Sequence, residues 1–177
     1  MKVWQVKHHI DKEIAMVAYK RFAGIDPTLF FDGKRLASTW KVPDVHWNPG
    51  QPGARVVDFP FFAYGALLCS HSAWCILEPN LVTEVEILPV EVEGLHYHLL
   101  NPLQIIDCLD EEQGQFLRYK TGRVTDIDHY VFDEAKLNGV YLFKTPELTR
   151  TSLYATQAFR EIIEEHLLEG LEFRDLP

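Results

Sequence analysis

Basic residues are missing from about a third of this chain, because no Lys or Arg occurs between residues 58 and 117. The whole chain holds 17 Lys and Arg against 26 Asp and Glu, a formal net charge of −9. Residues 1–57 carry a balance of +4 and residues 58–177 one of −13. An acidic surface repels nucleic-acid backbones and anionic membranes and attracts basic partners. Acidity also serves solubility, so charge alone identifies no partner.

Cysteines, long apolar runs and phosphate-binding motifs are also scarce. The three cysteines (Cys69, Cys75 and Cys108) form no C-x-x-C and cannot all pair, which indicates a reduced protein with buried thiols. The longest apolar run, 61–69, is too short to span a bilayer, and the first residues alternate in polarity, unlike a signal peptide. Neither G-x-G-x-x-G nor a P-loop occurs. We therefore expect a soluble cytoplasmic protein.

Length and composition predict one α+β domain over residues 1–177. Pro and Gly are concentrated in Trp40–Val57, which predicts an irregular loop or a weak boundary near residue 55. Short strand-like segments predict a mixed, largely antiparallel sheet: Lys2–Lys7, Tyr97–Asn101, Leu103–Leu109, Phe116–Tyr119, Asp126–Phe132 and Val140–Phe143. Helical patterns occur in Lys12–Phe22, in Phe61–Ser70 with Asp58 as a cap, and in a turn over Asp133–Leu137. Asp32-Gly33 predicts a hairpin turn within Phe30–Leu36, and Asp110–Gly114 a polar turn.

The strongest periodic pattern is at the C-terminal end of the chain. Apolar residues from Ala155 to Leu167 recur at i, i+3, i+4 and i+7, which predicts an amphipathic helix over Thr151–Gly170 that covers the sheet. Thr151 or Ser152 would cap its start, and Gly170 would adopt the left-handed conformation after its end.

The segment Glu84–Glu93 alternates acidic and apolar residues but changes phase at Pro89. A regular strand would place Glu84 and Glu86 on one face and the later two acids on the other. Since proline cannot donate to a sheet, we expect a bulge or break at Pro89 that restores one acidic face.

Histidine spacing offers one catalytic alternative. His96 and His98 would lie on one face of a strand, about 6–7 Å apart, and could bind zinc with His129 or Asp107. This would suit a small metal-dependent hydrolase, although two polar residues facing water explain the pattern as well. Cys69-Ser70-His71 lacks a nucleophile motif, so all three cysteines are expected in the core.

The order of segments resembles the bacterial immunity protein 11 family, best over residues 58–177. The resemblance is carried by these segments: Leu29–Leu36, Asp58 leading to Leu68–Ser70, Val85–Val90, Tyr97–Asn101, Ile106–Asp110, Val140–Phe143, Ala158–Arg160 and Leu168–Phe173. It implies a non-enzymatic protein that binds a cognate polymorphic toxin, usually encoded by the adjacent gene, and blocks it. No catalytic residue, metal or cofactor is implied.

The acidic central region is the predicted contact surface for such a toxin, because carboxylates can steer onto a basic cleft. Two tryptophans of the Pro/Gly-rich segment complete the prediction as interface anchors. The predicted contact residues are Glu84, Glu86, Glu91, Glu93, Asp107, Asp110, Glu111, Glu112, Trp40 and Trp47. A general interaction module with a different partner is the remaining alternative.

Overall fold

The computed structural model describes residues 1–21 and 31–177, with Lys20 and Arg21 described in their backbone only. The described residues form eleven strands and two α-helices. The strands are β1 (Val3–His8), β2 (Val17–Arg21), β3 (Asp44–Trp47), β4 (Leu67–Ser70), β5 (Val85–Val92), β6 (Leu95–Pro102), β7 (Gln115–Arg118), β8 (Val124–His129), β9 (Leu142–Phe143), β10 (Tyr154–Thr156) and β11 (Leu171–Asp175). The helices are α1 (His71–Leu81) and α2 (Gln157–Glu165), with 3₁₀ turns at Glu134–Leu137 and Pro146–Leu148.

The strands form three sheets. Five strands lie in the order β2-β3-β5-β6-β4, four in the order β11-β1-β10-β9, and β7 pairs with β8. All pairings between these strands are antiparallel except that of β3 with β5, which is parallel through Val45 and Val92. The α+β class and the largely antiparallel pairing predicted from the sequence are confirmed, although the strands divide among several sheets.

The two faces of the five-stranded sheet contribute to different core clusters. One cluster contains Cys69 and Leu100 of the sheet with Leu77 of α1 and Phe159 of α2. The other contains Leu88, Val90, Val92, Leu99 and Phe31. Full burial of a large apolar side chain contributes about 1.5–3 kcal/mol, so these clusters are the main source of stability.

Strand β1 joins the two ends of the chain. It pairs with β10 through Val3–Gln5 and with β11 through Trp4–His8. Residues on both sides of position 55 therefore share one sheet. No helix in the described part of the chain is long and apolar enough to cross a membrane.

The C-terminal helix is shorter than predicted and has different ends. Residues 152–156 are buried, and Tyr154–Thr156 is strand β10, so the helix begins at Gln157 after the cap residue Thr156. Leu167, with φ 53°, takes the left-handed position predicted for Gly170. Its N–H donates to Glu164 O, and the N–H of Leu168 donates to Ile163 O, which is a Schellman ending.

Several other predictions are wrong because neighbouring strands decide the local structure. The described part of Lys12–Phe22 contains β2 and no helix, while Phe22 lies outside the described residues. Phe61–Ser70 ends in β4, since an apolar run does not distinguish a buried helix from a buried strand. Ser70, not Asp58, caps the following helix by accepting from Ala73 N at 3.2 Å. Asp58 instead accepts from Ser70 Oγ and Glu169 N.

Three further segments differ from their predictions. Trp40–Val57 is not wholly irregular, because it contains β3. Leu103–Leu109 makes isolated bridges at Ile105 and Leu109 and no strand. The described part of Phe30–Leu36 turns at Gly33 (φ +91°) without strands, and Phe30 lies outside the described residues.

Strand β5 is continuous, so the bulge predicted at Pro89 is wrong. All eight of its residues pair with β6, including Pro89 with His98. Trp40 Nε1 donates to Pro89 O at 2.9 Å, so this carbonyl points away from β6. In an antiparallel strand the N and O of one residue point to the same side, so the missing N–H costs no bond to β6. Proline is tolerated because β3 pairs with β5 only at Val92.

Gly170 allows a close approach between β11 and the segment around Phe59. Its φ is +109°, and an added Cβ would lie 2.5 Å from Phe59 O. We predict that Gly170→Ala destabilises the protein by about 3 kcal/mol or more, from backbone strain plus the steric clash. Gly122→Ala is the matched control, because Gly122 has φ +85° and an added Cβ there would meet no atom within 4 Å. Urea unfolding of both variants checks this, and equal losses would contradict it.

Candidate functional site

The end of the β5–β6 hairpin presents acidic side chains around a depression. Glu93 (φ 50°) and Gly94 (φ 83°) form its two-residue turn, and two positive φ values are typical of a type I′ turn. Glu91 and Glu93 line an open depression of about 320 Å³ with residues 42–45 and Gly94. Val42, 56% exposed, also lines this depression, and Leu95, 51% exposed, follows the turn at the start of β6. We call Val42, Glu91, Glu93 and Leu95 the hairpin-end surface.

Both predicted tryptophan anchors lie close to this surface but are only partly exposed. Trp47 N donates to Glu93 Oε1 at 3.3 Å, and the Trp47 ring packs edge-on against Tyr97. Trp40 packs against the cluster that contains Leu88 and Leu99. Each ring is therefore held mainly by the fold.

Glu84 and Glu86 lie in the interior, which corrects their predicted place on the contact surface. They are 5% and 6% exposed. Glu84 accepts from the backbone N–H groups of Tyr141 and Leu142. Burial raises the pKa of Glu84, and these hydrogen bonds act in the opposite direction.

Glu86 ties a loop to the five-stranded sheet. It accepts from the N–H groups of Leu36 and Ala37 at 2.6 and 3.2 Å and from Asn101 Nδ2 at 3.1 Å. A buried carboxylate is tolerated where such donors replace water. Because Glu84 and Glu86 hold the fold together, neither belongs to the proposed contact surface.

The remaining predicted acids lie in a separate region. The turn at Asp110–Gly114 is confirmed, and Asp110 accepts from the N–H groups of Glu112 and Gln113, which lowers the pKa of Asp110. Glu111 pairs with Arg118 at 2.7 Å. These residues and Asp107 follow Pro102, at the end of β6 away from the hairpin turn, and β6 is roughly 23 Å long at 3.3 Å per residue. Cys108 and Leu109 of this segment pack in core clusters that contain no residue of β5 or β6. The predicted acids therefore form two surfaces instead of one.

The three histidines of the hydrolase alternative are not brought together. His96 is 84% exposed and lies 3.9 Å from Glu91, whereas His98 contacts His71. His129 belongs to β8 in the two-stranded sheet. Within residues 1–21 and 31–177, no three His, Cys, Asp or Glu side chains are arranged to hold a metal ion. No observation favours the hydrolase.

Sequence reasoning missed a fully buried lysine. Lys144 has no exposed surface, its Nζ donates to Phe31 O, and burial lowers its pKa to about 7. Gly65, with φ +78°, leaves room for this ammonium, because an added Cβ would lie 3.2 Å from Nζ. Nothing in the local pattern Leu-Phe-Lys-Thr marks the position as internal. Lys144 links β9 to the segment after the undescribed residues and does not line the depression at the hairpin end.

Comparison with known protein families matches residues 82–177 to the Immunity protein family (Imm11). This match covers more than half of the 177 residues, and the chain belongs to that family. It begins just after α1 and includes both β5 and β6. The resemblance inferred from the sequence is confirmed, although the match starts later than residue 58. A comparison with curated proteins gives no match.

We predict that Glu86→Gln lowers the free energy of unfolding by about 1–3 kcal/mol. The amide offers one acceptor oxygen where two carboxylate oxygens serve three donors, and its NH₂ would face a backbone N–H. Glu91→Gln, at an exposed position of the same strand, should change stability by less than about 0.5 kcal/mol. Urea unfolding curves measure both. Equal losses of unfolding free energy in the two variants would show that the hydrogen bonds of Glu86 do not stabilise the fold.

Lys144 should make stability depend on pH in the alkaline range. Its pKa of about 7 in the folded protein lies below the ordinary 10.5, so folding releases a proton between these values. Its contribution to stability therefore rises with pH through this window, by at most about 1.4 kcal/mol per unit, and is lost as pH falls through 7. The measurement is the difference in unfolding free energy between wild type and Lys144→Met from about pH 6 to about pH 9. A constant difference would contradict the prediction.

Proposed function

We propose that this protein neutralises a cognate bacterial toxin by direct stoichiometric binding, without catalysis. The observation that carries the proposal is the match of residues 82–177 to an immunity protein family. The charge distribution supports it, because an acidic protein attracts a basic partner. The proposal includes a toxin encoded by the adjacent gene, as in polymorphic toxin systems, and action in the cytoplasm.

We propose the hairpin-end surface as the contact region. Glu91 and Glu93 have no Lys or Arg partner among the described residues, whereas Glu111 is already paired with Arg118. The exposed Val42 adds apolar area beside these carboxylates in the same depression. Apolar contact with nearby unpaired charge suits an interface, where the apolar part supplies affinity and the charges supply steering.

The hairpin-end surface also has a rigid support. Strand β5 lies between β3 and β6, and the turn residues are fixed by eight consecutive β5–β6 pairs. A preformed surface loses little conformational entropy on binding, which favours tight association. We propose further that residues 1–177 act as one domain, since β1 pairs with strands near the C-terminal end of the chain.

The first test is binding to the product of the adjacent toxin gene. We predict a one-to-one complex by size-exclusion chromatography with light scattering. We also predict that Glu91→Lys with Glu93→Gln weakens toxin affinity at least about tenfold and reduces its salt dependence. Gln at 93 retains the oxygen that accepts from Trp47 N.

The matched control is Asp107→Asn with Glu112→Lys, which makes the same change of three charge units in the other acidic region. Calorimetric titration at two salt concentrations should give near wild-type affinity for this variant. Equal losses in both variants would show a general charge effect and remove the hairpin-end assignment. Absence of any complex with the toxin would overturn the proposed function itself.

A further inference from the structure

Cys75 differs from the other two cysteines in exposure. Cys69 and Cys108 are buried, and burial raises the pKa of both thiols, to about 12 for Cys108. Cys75 is exposed on α1, against the expectation that all three lie in the core. Its Sγ lies 3.7 Å from Nε2 of His71, one helical turn earlier. A thiol and an imidazole four residues apart on a helix lie on the same face.

His71 is in turn oriented by a second imidazole. Its Nδ1 lies 3.0 Å from Nε2 of His98, which projects from β6. The His98 ring also packs 6.1 Å from Trp74, and its backbone pairs with both Cys69 and Pro89. The position of His98 is therefore set by the central strands of the sheet.

The ring contacts permit an arrangement of protons that makes His71 a base for Cys75. Burial and the neighbouring His71 lower the pKa of His98, while Glu78 on α1 raises it. A neutral His98 can accept a hydrogen bond from Nδ1–H of His71. Nε2 of His71 then carries a lone pair toward Sγ of Cys75. This order of nucleophile, base and orienting group is the arrangement that activates thiols.

We propose that Cys75 is a reactive thiol that forms mixed disulfides with low-molecular-weight disulfides, with His71 as its base and His98 as a positioning residue. Nε2 of His71 takes the proton from Sγ. The thiolate attacks one sulfur of the small disulfide, a new S–S bond forms, and the original S–S bond breaks. The departing thiolate takes the proton from His71, so one thiol is oxidised and one is released.

Access at this position permits the reaction. His71 and Ser72 are exposed beside Cys75, so a small disulfide formed from two tripeptides can approach along the helix surface. The buried Cys69 and Cys108 serve as internal controls within the same folded molecule. This assignment uses residues outside the family-matched segment 82–177, apart from His98, and is independent of toxin binding.

The test uses the full chain and glutathione disulfide at neutral pH, with mass spectrometry to locate and time the modification. Wild type should gain one glutathione at Cys75 and none at Cys69 or Cys108. His71→Ala should slow the reaction at least about tenfold. His98→Ala should slow it as well, and His98→Gln should restore most of the rate because its amide oxygen can accept from His71 Nδ1.

Two controls separate reactivity from folding. Urea midpoints should be similar for all variants. In denaturant, each of the three thiols should react at the same rate in every variant as it does in wild type. If folded wild type and His71→Ala modify Cys75 equally fast, the base assignment is wrong. If Cys75 reacts no faster than cysteine in an unstructured peptide, the proposal fails as a whole.

Discussion

The uninterrupted pairing of β5 with β6 is the constraint on which the rest of the structure depends. Its eight consecutive pairs fix the direction of every side chain from Val85 to Pro102. Because side chains alternate regularly along β5, Glu86 points into the interior, where backbone N–H groups donate hydrogen bonds to it. Glu91, near the hairpin end of the same strand, is exposed to solvent. One strand thus supplies both an internal tie and an exposed acidic surface. A bulge at Pro89 would reverse one half relative to the other.

Much of the fold class followed from local patterns, but element boundaries did not. The strand Tyr97–Asn101 and the turns at Asp110 and Asp133 were predictable, because alternation and capping residues act over a few positions. The start of α2 was not, since Tyr154–Thr156 pairs with β1 and β9, which are distant in sequence. Burial of Glu84 and Glu86 could not be predicted from the sequence either. Their partners lie about 50 residues away, and an acidic residue in a strand ordinarily faces water.

The candidate sites were predictable only in part for the same reason. The sequence indicated an acidic strand over Glu84–Glu93, but the depression at its end depends also on residues 42–45, which sequence patterns assigned to an irregular loop. The neighbourhood of Cys75 arises only when α1 lies beside β6. Glu91, His96 and His98 project from the same face of the sheet, as antiparallel register requires. Glu91 therefore lies on the same face of the sheet as His98, which contacts His71 beside Cys75.

The central claim is that the hairpin end of this rigid sheet is the part of the molecule that the toxin covers. Hydrogen–deuterium exchange of the free protein and of the toxin complex tests it without any substitution. We expect slower exchange in residues 42–47 and 91–96 on binding and no change in the turn at 110–114. Protection confined to 110–114, or to any region away from the hairpin end, would contradict it.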